Sequence, residues 1–311
     1  MSHLELEVVP PSPFRLPGGA SEDGTMRNRG GVIARLLHVG GSPVLVRAWQ
    51  PGSRLVALRA EAIDPGALHH PAPGVAPAGE EQLEVATRRM RFAIGVDEDL
   101  GEFYARFRRD PLLGPLLRRA PSFRPRRHPW PWEALAWAVV KQLIESDRAA
   151  RIQRRLVGRW GARLGEGREA LRDVPAPDLI AARAPAELQG MDLSAGRSLA
   201  LIRVAREVAA GRCDPADPSA DRRLRAIPEI GPWTIQCLGL FGRGEADSLP
   251  AGDLAYIKLV GRLAGLGRRA SVPEVEEFYA PYAPFRGLVG ALTIAGLHRA
   301  VAQGPPLRFA A

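Results

Sequence analysis

The sequence predicts an α+β protein, with a small N-terminal unit of short strands closed by a helix and an all-α domain after it. Short apolar runs bounded by Gly-Gly and Pro-Gly fill the first part of the chain. From about Phe92 onward, apolar residues recur at helical spacing, and Gly and Pro punctuate the chain into short helices.

Residues 32–39, 43–49 and 55–60 are the expected strands. Residues 67–79, rich in Pro and Ala, read as a surface loop. A helix over 80–91 closes the unit, which divides the chain into residues 1–89 and 90–311. Helices are then expected over 100–107, 132–145, 148–164, 195–210, 234–241, 254–263, 272–280 and 288–302. Between the first two, residues 108–131 form a basic connector ending in Arg124-Pro125-Arg126-Arg127-His128-Pro129-Trp130.

Composition narrows the function. The net charge of +9 favours a polyanionic partner. Only two of the 43 basic residues are lysines, Lys141 and Lys258. No apolar run reaches the roughly 18 residues of a membrane helix. The start of the chain lacks the basic-then-apolar build of a signal peptide, so a cytoplasmic protein is expected. Cys213 and Cys237 are the only cysteines, too few for a four-cysteine iron–sulfur cluster. Of six His only His69 and His70 are adjacent, and no zinc spacing occurs. No catalytic metal is expected.

The chemistry concentrates in residues 224–253. Leu224, Ile227 and Ile230 share one apolar face. Pro228 and Gly231-Pro232 then end one helix and open another. Gly231 lets a ligand approach the backbone, and the N–H groups of Trp233 and Thr234 at the new helix start suit an anion such as a DNA phosphate. The plain alternative is an ordinary helix–turn–helix corner. Nineteen residues after Thr234 stands Asp253, a good helix N-cap whose carboxylate can also face out of the helix end.

Together, Ile227-Pro228-Glu229-Ile230-Gly231-Pro232-Trp233-Thr234 and Leu249-Pro250-Ala251-Gly252-Asp253 resemble the helix-hairpin-helix DNA glycosylase superfamily. The 3-methyladenine DNA glycosylase II (AlkA-like) branch is the best match. Trp132-Glu133-Ala134-Leu135 and Lys141-Gln142-Leu143-Ile144-Glu145-Ser146 add to it, and the likeness runs in order from about residue 92 to 298. It implies a TATA-binding-protein-like N-terminal unit and a hairpin near 224–240. It further implies an enzyme that acts on double-stranded DNA containing alkylated bases; nothing in the sequence implies oligomerisation, so a monomer is expected, cytoplasmic or nucleoid-associated in a bacterium. The resemblance also allows a monovalent cation at the hairpin carbonyls.

The resemblance assigns roles. Asp253 would stabilise the positive charge that develops on the sugar and orient water. An alkylated purine is already cationic and leaves readily, so one carboxylate can suffice. Trp233 would stack on the extruded base, although a core indole under the hairpin is the alternative. Trp233 stands where bifunctional relatives carry a nucleophilic lysine, which argues against a lyase of that kind. Trp132 and Cys237 would line the pocket, Cys237 replacing a frequent tyrosine. Near the C-terminus, Leu292-Thr293-Ile294-Ala295 replaces a frequent tryptophan. Leu143 would wedge into the base stack beside Gln142, or else be core with Ile144. Ile230, Gly231, Thr234, Arg197 and Lys258 complete the expected DNA contacts, against solvated surface charge as the alternative for the last two. Asp247 reads as a loop residue, and Arg286 as structural or phosphate-binding. A non-catalytic lesion-binding protein and an oxidised-base glycosylase with lyase activity remain the competing functions.

Overall fold

The structure, a computed structural model, describes residues 2–69 and 75–303. His70 and part of the Pro-rich stretch at 67–79 lie outside the described residues, as does the chain after 303.

Five antiparallel strands form the N-terminal sheet: β1 (His3–Val8), β2 (Met26–Arg29), β3 (Val32–Val39), β4 (Ser42–Gly52) and β5 (Leu55–Ala62), in the order β1-β5-β4-β3-β2. The expected strands are β3, β4 and β5. β1 and β2 were not foreseen, although His3-Leu4-Glu5-Leu6-Glu7-Val8 alternates as a half-buried strand should. Helix α1 (Glu80–Ile94) lays Leu83, Ala86, Met90 and Ile94 on the sheet at helical spacing. This core also takes in Val96, so it runs past the boundary expected at residue 89.

The remainder is helical: α2 (Gly101–Phe107), α3 (Leu113–Arg119), α4 (Pro131–Lys141), α5 (Ser146–Trp160), α6 (Pro177–Ala181), α7 (Pro185–Gln189), α8 (Ala195–Ala209), α9 (Asp221–Arg225), α10 (Pro232–Leu238), α11 (Leu254–Leu263), α12 (Val272–Tyr279) and α13 (Arg286–Gln303). A second small sheet joins β6 (Leu68–His69), β7 (Arg163–Leu164) and β8 (Leu171–Arg172). Helix α4 stops four residues before its expected end, because Leu143 takes a left-handed φ of 54° that no helix tolerates. One apolar cluster lies around α4, α5, α8 and α10, and another around α2, α3, α11, α12 and α13.

Buried polar pairs hold the sheet unit to the helical part. Arg35 Nη2 meets Glu133 Oε2 at 2.6 Å with both side chains almost fully buried. The Trp137 indole N–H donates to Asp23 at 2.8 Å, and His38 Nδ1 lies 2.9 Å from Asp173 Oδ2. The basic connector is consumed in the same seam and contains α3. Arg124 donates to the Pro13 carbonyl at 2.7 Å, Arg126 to Ala20 at 3.1 Å, and Arg127 pairs with Glu98 at 2.5 Å.

Candidate functional site

The hairpin forms as expected, but its first helix, α9, is only five residues long. Leu224 and Ile230 are sunk in the helical core and anchor the turn. Glu229 adopts φ 73°, reversing the chain just before Gly231, the N-cap of α10. Pro232 opens α10, so the N–H groups at its mouth have no helical partner four residues back. Thr234 is a partial exception, since its N–H turns back on the Gly231 carbonyl at 3.1 Å.

Helix α4 docks on this hairpin through its C-terminal end. The Gln142 side-chain amide donates to the Glu229 carbonyl at 2.7 Å and to Thr234 Oγ1 at 2.9 Å. Arg197, near the start of α8, donates to the Val140 carbonyl at 3.0 Å, the Gln142 carbonyl at 3.2 Å and Ser194 Oγ at 2.9 Å. It thereby satisfies carbonyls that the end of α4 leaves unpaired. Directly after this braced corner, Leu143 stands out of the protein, 103% exposed. A Leu in the left-handed region costs backbone energy that its fully exposed side chain recovers nothing of by burial, and such strain concentrates at functional sites.

On the other side of α10 is Asp253. It caps α11, its Oδ1 accepting from the Ala255 N–H at 2.9 Å while its own N–H donates to the Pro250 carbonyl at 2.9 Å. Its carboxylate is half-buried. The preceding loop is pinned by Arg286, which grips Asp247 with two guanidinium bonds of 2.9 and 2.5 Å. These bonds hold the Asp247 carboxyl below its ordinary range. Asp247 is therefore a committed ion-pair partner rather than a second acid, and Arg286 is structural.

Trp233 and Asp253 lie on adjoining elements. A Cβ placed on exposed Gly252 would stand 3.8 Å from Trp233 Cβ and Cδ1, so the N–H edge of the indole runs beside the residue preceding Asp253. Trp233 Nε1 is buried and has no hydrogen-bond partner among the described residues. Such donors are uncommon because an unmade bond costs about 1–3 kcal/mol. Cys237, one turn further along α10, is buried beneath. Burial pushes its thiol up, Asp253 pushes it further, and Lys141 opposes. Tyr256, on α11, is pushed up by burial first and then by Tyr279, Asp253 and Cys237. Cys237 and Tyr256 are thus two buried groups that feel the charge of this carboxylate.

No family model matches the chain. The DNA-3-methyladenine glycosylase of Bacillus subtilis (strain 168) is 25% identical over 193 residues, 60% of this chain and 64% of that protein. A probable bifunctional transcriptional activator/DNA repair enzyme AlkA of Mycobacterium tuberculosis is 26% identical over 228 residues, 72% of this chain and 45% of that protein. The chain therefore spans less than two thirds of the length of either relative. The 3-methyladenine DNA-glycosylase structure from Archaeoglobus fulgidus superposes with a TM-score of 0.76 at 20% identity, covering 95% of this chain and 98% of that one.

The chain is thus similar in sequence to a 3-methyladenine glycosylase and an AlkA protein, and it shares the fold of the Archaeoglobus fulgidus structure.

Several expected contacts change character. Trp132 is 1% exposed, deep in the helical core, and its indole N–H is spent on the Pro175 carbonyl at 3.0 Å, so it is a packing residue. Ile230 is core, with its N–H bonded to Ile227. Gln142 and Arg197 are buried and brace the hairpin from within, because their donors are used by the protein. The Thr234 hydroxyl is likewise buried and accepts from Gln142. Gly231 and Leu143 stay at the surface side of this corner, and Lys258 is exposed on α11. Among the described residues no group of three His, Cys, Asp or Glu could hold a metal ion, and no helix is long and apolar enough to cross a membrane.

Sequence reasoning missed Tyr256, which carried no signal beyond its place three residues after Asp253.

Proposed function

We propose that this chain is a DNA glycosylase that extrudes alkylated purines, of the 3-methyladenine type, from double-stranded DNA and releases them by hydrolysis. The N–H groups at the mouth of α10 hold a backbone phosphate, and Lys258 supplies a second, exposed charge to the duplex. Leu143 enters the stack and offsets part of the few kcal/mol that unstacking costs. The extruded cationic base lies against Trp233, where cation–π attraction contributes about 0.5–2 kcal/mol. Asp253 stabilises the positive charge growing on the sugar and orients the attacking water.

The observation that carries this proposal is the Trp233 indole N–H, buried without an acceptor among the described residues, on a side chain that runs beside Gly252, the residue before the helix cap Asp253. A ligand with an acceptor atom would complete that donor. The reaction as proposed needs no cofactor, because a cationic base leaves without a Lewis acid. A monovalent cation at the hairpin carbonyls would serve phosphate binding rather than chemistry.

The test is base release from methylated duplex DNA, with the freed bases separated by chromatography, for the native chain and Asp253→Asn. Release of 3-methyladenine or 7-methylguanine by the native chain alone supports the proposal. Binding to abasic DNA without any release would mean a lesion-binding protein. That outcome has some structural ground, since Leu292 and Thr293 are core residues where relatives often have an aromatic.

A further inference from the structure

Among the described residues only three that are not glycine take a left-handed φ: Leu143 at 54°, Asp192 at 77° and Glu229 at 73°. All three meet at one corner. Leu143 follows Gln142, whose amide reaches the Glu229 carbonyl at 2.7 Å. Asp192 holds Arg148 through bonds of 2.9 and 2.6 Å, just before α8 begins. Backbone strain of this kind clusters at functional sites. Leu143 is the proposed wedge and Asp192 has its arginine, which leaves Glu229 to be explained. It is exposed, and among the described residues no hydrogen bond or ion pair holds its carboxylate. A glycine would take φ 73° without strain, so the turn itself calls for no side chain, still less a charged one.

The place of that charge is specific. Glu229 stands two residues before Gly231, in the turn of the hairpin. Its carboxylate swings towards the start of α8, where a Cβ on Gly196 would lie 3.0 Å from Glu229 Oε1. Ser194, the N-cap of this 15-residue helix, makes no capping bond with its side chain, and its Oγ accepts from Arg197 instead. An unpaired negative charge therefore lies between the hairpin turn and a helix start, beside the exposed Leu143. Backbone N–H groups and a helix start attract phosphate, and a fixed carboxylate there repels it.

We propose that Glu229 is a built-in counter-charge that lowers the affinity of this corner for the DNA backbone. This rests on the glycosylase proposal, in which the hairpin and Leu143 meet the duplex, and it adds a limit on the grip of that same site. The repulsion acts through space and needs no contact. Across a protein surface it weakens binding about three- to tenfold at low salt, and salt screens it. Backbone contacts read no sequence, so the penalty falls on damaged and undamaged DNA alike. Discrimination is then left to the extruded base.

Fluorescence anisotropy measures binding of the full chain to an undamaged duplex over a range of salt concentrations, for the native chain, Glu229→Gln and Glu229→Gly. Glu229→Gln removes the charge and keeps the length. It should tighten binding about three- to tenfold at low salt, with the gain shrinking as salt rises. Glu229→Gly also relieves the backbone, so it should tighten binding at least as much without lowering the melting temperature. Unchanged or weaker binding by Glu229→Gln overturns the inference, as does a gain that salt does not diminish. A gain confined to Glu229→Gly would assign the effect to the backbone and overturn it as well. So would a lower melting temperature of Glu229→Gln without tighter binding, which would make Glu229 a stabilising neighbour of Arg197, whose charge it favours. Base release from methylated duplex is measured in parallel, so the two proposals fail separately. Base release with no gain in affinity leaves the glycosylase and removes the counter-charge. Tighter binding by Glu229→Gln without base release by the native chain supports the counter-charge and removes the alkylated-base reaction.

Discussion

The Gln142 side-chain amide donates to Thr234 Oγ1 at 2.9 Å, joining the residue before the exposed Leu143 to the first turn of the hairpin's second helix. The same nitrogen reaches the Glu229 carbonyl at 2.7 Å, so one side chain ties the end of α4 to both sides of the hairpin turn. Gln142→Leu should destabilise the protein by about 1–3 kcal/mol, because it orphans buried acceptors. Thr234→Val should cost less, since the Glu229 bond remains. Denaturant midpoints of the two single variants and the double variant test this. Coupling near zero would mean the bond does not join the two elements.

Asp253→Asn keeps the capping oxygen, and Asn caps helices as well as Asp does, so the melting temperature should hardly move. Base release should fall at least about a hundredfold, the scale of losing a charge-stabilising group. Duplex binding, measured by fluorescence anisotropy, should be retained. Equal loss of binding and release would make Asp253 a binding residue instead.

Leu143→Asn should separate stability from activity. Asn tolerates the left-handed region, so about 0.5–1 kcal/mol of strain is relieved and an exposed apolar side chain is removed. Thermal stability should rise slightly while base release drops through poorer extrusion. A loss of stability would show that Leu143 packs in solution.

Trp132 and Trp233 should behave oppositely. Trp132→Phe loses a buried bond to Pro175 and leaves a void, so stability falls by about 1–3 kcal/mol with the chemistry largely unchanged. Trp233→Phe loses a donor without a protein acceptor, so its effect should fall on base release and the affinity for abasic DNA. Calorimetry and chromatography on the same two proteins decide the matter.

The seam between sheet unit and helices should respond to acid through Asp23. Burial alone would raise this carboxyl, but Arg35, Ser21, Thr25 and His128 overcome it and bring it to about 2. The folded value lies below the unfolded one, so its contribution is complete above about pH 4 and is lost as pH falls towards 2. That contribution is about 2 kcal/mol at neutral pH. Asp23→Asn should remove it and flatten the acid limb of the stability curve, as read from urea midpoints between pH 2 and 7.

The elements legible in the sequence were those fixed by neighbours along the chain. Pro228, Gly231 and Pro232 dictate the hairpin because they forbid a continuous helix there. Asp253 caps α11 because its side chain can reach only its own helix start. The expected 254–263 helix matches Leu254–Leu263 for that reason. The two-residue strands β6, β7 and β8 could not be seen, since their pairing joins segments far apart in the chain. Side-chain fate was equally hidden. Trp132 and Trp233 each sit in the first turn of a Pro-initiated helix, yet one indole is covered by α5, α6 and α8 while the other borders Gly252. Arg197 follows a helix start that suits an anion, yet the unpaired carbonyls ending α4 claim it. Local sequence sets backbone geometry because those forces act over a few residues. Burial and hydrogen-bond partners depend on which segments pack together, and so only the folded chain assigned each tryptophan, arginine and lysine its place.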